Sequence, residues 1–201
     1  MPERTTDEVL LTRAGEGDQA AFLELYDRHR QPIFRFAYRL LGEVEKAEDV
    51  THDCFLSLIR KPENFQADRA SLRTYLFAAA RNLALKHFRN SGRETGLDEV
   101  SEEPQIASRQ EPLRKLLDEE LAAEVRRAVF SLPPLQRESL ILFEYEGLSL
   151  SEIAAITGTD ASVIKSRLYR ARERLKGLLR PYLSGNRQLN NSREIVSLKE
   201  A

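Results

Sequence analysis

The stretch Leu148-Ser-Leu-Ser-Glu-Ile-Ala-Ala-Ile-Thr-Gly-Thr-Asp-Ala-Ser-Val-Ile-Lys-Ser-Arg-Leu-Tyr-Arg-Ala-Arg172 decides how this chain is read. Ser149 or Ser151 caps a short apolar helix through Ile153, Ala154 and Ile156. Gly158 then allows a tight turn into a last, basic helix predicted from Asp160 to Leu179. At about 100° per residue, Ile164, Leu168, Ala171 and Leu175 fall on one seam, and Ser162, Lys165, Ser166, Tyr169 and Arg172 on the other side. A short helix, a Gly turn and a basic second helix form a helix-turn-helix, with the second helix placed to enter a major groove. Lys and Arg there can donate to guanine O6 and N7 or to phosphates, Ser can bond either way, and Tyr can meet a thymine methyl.

Helical periodicity extends outward from this unit in both directions. Leu10, Leu11, Ala14, then Ala21, Phe22, Leu25, Tyr26, then Ile33, Phe34, Ala37, Tyr38, Leu41 recur at spacings of three and four, with Gly15 and Gly17 as one break and Gly42 as the next. A helix from Val44 to Ile59 directs Ala47, Val50, Cys54, Phe55 and Leu58 inward, and Lys61-Pro62 stops it. Phe65 to Ala70 reads as a polar loop, and Ser71 as the N-cap of a helix to Arg89. From Asn90 to Pro112 the period fails. It resumes over Leu113 to Phe130, turns at Leu132-Pro133-Pro134, and continues as a helix from Leu135 to Tyr145. No strand-like alternation of useful length occurs. The reading is an all-α protein of two helical domains joined by a flexible acidic linker, with a disordered tail over 184–201.

The chain has 201 residues, enough for one medium domain or two small ones, and its net charge of −1 hides strong segregation. Arg69 to Arg93 carries +6, Ala161 to Arg180 another +6, and Glu94 to Glu124 carries −7. Two basic modules separated by an acidic segment suggest two polyanion-binding surfaces. The longest unbroken apolar run, Tyr75 to Ala80, is far short of a bilayer span, so no direct membrane insertion is expected. Cys54 is the single cysteine and His29, His52 and His87 stand apart, which predicts no disulfide, no metal site and a reducing, cytoplasmic setting. Cys54 and His52 lie two apart on a helix and so face different ways, which excludes a shared proton between them. No catalytic residues and no cofactor are expected; no phosphate-cradling loop or nucleophile elbow is present.

Four ordered segments carry a family resemblance: Asp49-Val-Thr-His-Asp-Cys-Phe55, Ser71-Leu-Arg-Thr-Tyr-Leu-Phe-Ala-Ala-Ala-Arg-Asn-Leu-Ala-Leu85, Leu132-Pro-Pro-Leu-Gln-Arg137 and Lys165-Ser-Arg-Leu-Tyr-Arg-Ala-Arg172. In order and spacing they resemble the motifs of bacterial RNA polymerase sigma factors of the extracytoplasmic-function (ECF) type, over about residues 6 to 183. The resemblance implies a sigma-2 domain (6–90), a linker (91–112) and a sigma-4 helix-turn-helix domain (113–183). It implies a transcription initiation factor that binds RNA polymerase core at the β′ clamp helices and the β flap, recognises promoter DNA, and answers to an anti-sigma factor. The rival reading is a stand-alone helix-turn-helix regulator that does not bind core. The acidic helix followed by a basic aromatic helix argues against it.

The resemblance also implies residue roles. Asp49, His52 and Asp53 match the core-binding helix, with His52 where Gln is usual. Gln66, Asp68, Arg73, Tyr75, Arg81, Asn82 and Lys86 match the segment that captures a flipped base of the −10 element, with Tyr75 in place of a frequent Trp and Lys86 in place of a frequent Asp. Such capture needs hydrogen-bonding groups beside cationic and aromatic side chains. Ser162, Lys165, Ser166, Tyr169, Arg170, Arg172 and Lys176 match the reader of the −35 element. Phe77, at helical spacing, is expected to be a core residue.

Overall fold

The computed structural model describes the backbone of residues 5–91 and 112–197 and the side chains of 5–88 and 120–182. The expected acidic linker lies almost wholly outside the described residues. Among those described there are eight α-helices and no strand.

The first four helices are α1 (Asp7–Gly15), α2 (Gln19–Leu41), α3 (Val44–Arg60) and α4 (Leu72–Ser91). Asp18 starts α2 because its carboxylate accepts from the backbone N–H groups of Ala20 and Ala21, at 3.0 and 3.1 Å, and Arg13 holds it at 2.7 Å. These bonds hold the Asp18 carboxyl below the usual carboxylate range. The inward row of α2 is Ala21, Leu25, His29, Ile33, Phe36, Ala37 and Leu40. His29 and Arg28 both reach Asp7, at 2.7 and 2.6 Å, and pin α1 to α2. Pro62 cannot extend α3 and begins a single 3-10 turn, Pro62–Asn64, just before the loop expected from Phe65. Ser71 caps α4 through the N–H of Thr74 at 3.2 Å. Phe77 is fully buried, edge-on to Phe36 at 5.4 Å, and Phe55 meets Tyr26 edge-on at 4.8 Å, so these aromatics form the centre of the bundle.

The C-terminal unit comprises α5 (Pro112–Phe130), α6 (Pro134–Leu140), α7 (Leu150–Thr157) and α8 (Ala161–Ser197). Its core gathers Val129, Leu132, Leu140, Ile141, Leu142, Ile153, Ile156, Ile164, Leu168 and Ala171. Two expectations are corrected here. The helix predicted from Leu135 to Tyr145 widens after Leu140 into a π-helical turn, Ile141–Tyr145, closed by Glu146 N–H donating to the Ile141 carbonyl at 3.1 Å. Leu140, Ile141 and Leu142 are all buried across this wider turn, at the contact between α2 and the C-terminal unit. The last helix does not stop near Leu179 but runs on to Ser197, and 198–201 of the expected tail lie outside the described residues. Pro181 removes one backbone donor from α8, which continues past it.

The two units pack together. α4 lies against α7, and α2 lies against α6 and the π turn. Gly42, the left-handed C-cap of α2 at φ +81°, sits where a Cβ would fall 2.6 Å from Cε2 of Phe130, so the end of α2 presses directly on the end of α5.

Candidate nucleic-acid interface

The helix-turn-helix forms as its sequence requires. Ser149 and Glu152 make a capping box at the start of α7: the Ser149 hydroxyl accepts from Glu152 N–H at 3.3 Å, and the Glu152 carboxylate accepts from Ser149 N–H at 2.8 Å. The Ser149 hydroxyl, donating to the Glu152 carboxylate at 2.6 Å, and then the Ser149 N–H hold that carboxyl below its usual range. Gly158 ends α7 in the left-handed region at φ +64°, where a side chain would be strained. Ile164, Leu168 and Ala171 are buried against the domain, and Ser162, Lys165, Ser166, Tyr169, Arg170, Arg172 and Lys176 all reach solvent. Tyr169 is 68% exposed, which a core aromatic never is.

Two of these side chains already have partners. Ser166 donates to the Ser162 carbonyl at 3.0 Å. Arg172 binds Glu144 at 2.6 Å and lies 5.4 Å from the Phe143 ring.

On α3, Asp49, His52 and Asp53 are exposed on one face, opposite Val50, Cys54 and Leu58. Leu56 continues that face at 44% exposure, with Ile59 nearby at 38%. Sequence reasoning missed both, although Leu56 completes the three, four and seven spacing from Asp49. An acidic row ending in exposed aliphatic residues suits a basic partner with an apolar contact. Cys54 is fully buried, and burial pushes its thiol up to about 12.

The residues expected to act together on α4 fall into two rows. Asn82 and Lys86 are exposed, on the same face as half-buried Tyr75, which meets Phe65 edge-on at 5.7 Å; Gln66 and Asp68 are exposed on the loop before the helix. Arg73 and Arg81 lie on a different face and turn toward the C-terminal unit. Arg73 donates to the Glu146 carbonyl and stands 5.4 Å from the Phe77 ring. Arg81 is ion-paired with Glu138. Arg39 of α2 completes the contact, 3.4 Å from the Glu146 carboxylate and 4.4 Å from the Tyr145 ring. Arg137 spans the units as well, donating to the Leu40 carbonyl at 2.9 Å over the Phe130 ring; burial lowers its guanidinium to about 10, so it stays charged at neutral pH. Burial pushes the Glu138 and Glu146 carboxyls upward, and the neighbouring arginines pull them back. Glu138 was also missed by sequence reasoning; its signal is a carboxylate on the inward row of α6, three and four positions before Ile141 and Leu142.

Sigma-70 region 2 matches residues 25–94, and Sigma-70 region 4 matches residues 122–175. The chain is 32% identical over 193 residues to the ECF RNA polymerase sigma-E factor of Escherichia coli K12, covering 91% of this chain and 99% of that one. The chain belongs to the ECF sigma factors. It is also 30% identical over 191 residues to the RNA polymerase sigma-H factor of Pseudomonas aeruginosa, covering 91% of this chain and 98% of that one. Among solved structures, a sigma factor RpoE in complex with the anti-sigma factor NepR from Bartonella quintana superposes with a TM-score of 0.62 at 29% identity, over 75% of this chain and 91% of that one. CnrH in complex with the cytosolic domain of CnrY superposes with a TM-score of 0.63 at 25% identity, over 87% of this chain and 97% of that one. As an ECF sigma factor the protein is a transcription initiation factor that directs RNA polymerase to promoters, a family whose members are not enzymes. The match to region 2 disfavours a stand-alone helix-turn-helix regulator. Among the described residues no helix is long and apolar enough to cross a membrane.

Proposed function

We propose that this ECF sigma factor divides its work among four faces in the cytoplasm, under the control of an anti-sigma factor. The α3 row of Asp49, His52 and Asp53, extended by Leu56, docks on the polymerase β′ clamp helices, and the C-terminal unit meets the β flap. Lys165, Ser166 and Tyr169 read base edges of the −35 element from the first turns of α8, with Ser162 and Arg170 beside them and Lys176 on the phosphates. Gln66, Asp68, Tyr75, Asn82 and Lys86, joined by Arg73 and Arg81, hold the unpaired −10 strand. The polymerase performs the chemistry; this chain supplies differential binding, holding extruded bases more tightly than duplex.

The observation that carries this reading is the exposed polar row of α8 standing opposite a buried apolar seam on a capped helix-turn-helix. The neighbours in complex with an anti-sigma factor and with a cytosolic domain support the regulatory part. The test is reconstitution with purified core polymerase. Asp49→Arg with Asp53→Arg should abolish co-elution with core while circular dichroism stays unchanged, because two solvated carboxylates become like charges against a basic surface. Unchanged co-elution overturns the docking assignment.

A further inference from the structure

Of the cations on the outer row of α8, Lys165, Arg170, Arg172 and Lys176, Arg172 is the one with an ion pair among the described residues. Its partner comes from the π turn. Arg172 Nε and Nη2 both donate to Oε1 of Glu144, at 3.0 and 2.6 Å, and the guanidinium stands 5.4 Å from the centre of the half-buried Phe143 ring. Two donors and a ring fix a side chain that would otherwise sweep through solvent. The pair is open to solvent, with side chains 52% and 44% exposed, so another anion can reach the guanidinium. An ion pair this exposed is weak enough to be exchanged. Arg172 lies seven positions after Lys165, two turns and about 10 Å further along the same face.

We propose that Glu144 is a specificity-determining residue for duplex DNA, holding Arg172 away from phosphates until Lys165, Ser166 and Tyr169 have seated on base edges. The proposal rests on the reading of α8 as the −35 reader, and it adds a residue outside that helix which decides when one of its cations counts. On a wrong sequence α8 stands off the groove and meets phosphates through water, while Glu144, in direct contact, keeps the guanidinium. On the right sequence the base contacts draw α8 into the groove, and a phosphate in direct contact takes over the same planar fork of N–H donors. Arg172 then strengthens binding at the right sequence and adds nothing at the wrong one, which widens the difference between them. Glu144 touches no base. It is a positioning residue that acts through Arg172.

The test uses the full chain and two fluorescein-labelled duplexes, one of randomised sequence and one enriched from that pool by holoenzyme reconstituted with core polymerase. Anisotropy follows binding over a series of salt concentrations. Glu144→Gln removes the charge and keeps the shape. It should tighten binding to the randomised duplex about threefold, the worth of one exposed ion pair, and steepen its salt dependence by about one phosphate. The enriched duplex should change less, so that the preference between the two narrows. Arg172→Ala in the parent chain should leave the randomised duplex unchanged, and in that background Glu144→Gln should no longer narrow the preference. A glutamate with a merely structural role would move neither the salt slope nor the preference. No tightening, equal tightening of both duplexes, or the same narrowing without Arg172 overturns the proposal while α8 stands as the reader. If the parent chain does not prefer the enriched duplex, the reading of α8 is wrong and the proposal falls with it.

Discussion

The two basic stretches, 69–93 around α4 and 161–180 within α8, carry equal charge in the sequence and are used differently by the fold. α8 turns its whole candidate row outward, and among its charged members Arg172 is the one with an ion pair, to an exposed glutamate on the same domain. α4 is enclosed by α2, α3 and α7, so only a narrow strip with Asn82 and Lys86 reaches solvent, and its two arginines become interdomain ligands. Positive charge at helical spacing therefore marks a surface only where one side of the helix has no packing partner.

The widest separation between the rows of α4 should appear in stability. Phe77→Ala removes a fully buried ring from the centre of the bundle and the support beneath Arg73, and should cost about 3–5 kcal/mol in urea denaturation. Lys86→Ala on the solvent strip should stay within about 0.5 kcal/mol. A comparable loss for both would show that the two rows are not distinct.

On α8 the expected effects are smaller and concern recognition. Lys165→Ala should change which bases are preferred at one −35 position, by about 1–3 kcal/mol across a panel of single-base promoter variants. Lys176→Ala should weaken all promoters alike and reduce the salt slope of binding by about one phosphate's worth. Arg172→Ala should reduce that slope less, because its guanidinium must first leave Glu144. Binding isotherms at two salt concentrations resolve all three.

The smallest effect expected is none. The Cys54 thiol, pushed to about 12, is about one part in ten thousand thiolate at pH 8, and it is fully buried. Iodoacetamide should leave it unmodified in the native chain and alkylate it after unfolding, as read by intact mass. Native alkylation would mean that α3 opens readily between α2 and α4.

Much of this was legible in order along the chain. Ser149, Gly158 and the Ile164, Leu168, Ala171 seam act through neighbours within a few residues, so their roles follow from local hydrogen bonding and a period of about 3.6. The Asp49, His52, Asp53 row is legible for the same reason, as is the burial of Phe77. The extent of α8 was not, because Pro181 reads as a stop while the helix continues past it. The π turn was not either, since burial of Leu140, Ile141 and Leu142 together is a demand of the surrounding core.

By itself the sequence determined where most of the helices lie, the Ser71, Ser149 and Gly158 caps, the apolar seams and the family resemblance, since each of these depends on residue type at short spacing. Only the tertiary structure decided what the arginines of α4 hold. Glu138 stands 57 positions from Arg81, and the Glu146 carbonyl 73 from Arg73. No periodicity reaches that far; the pairing arises because burying Phe130 over Gly42 and α7 against α4 brings unsatisfied carboxylate and carbonyl oxygens beside guanidinium groups that water no longer serves.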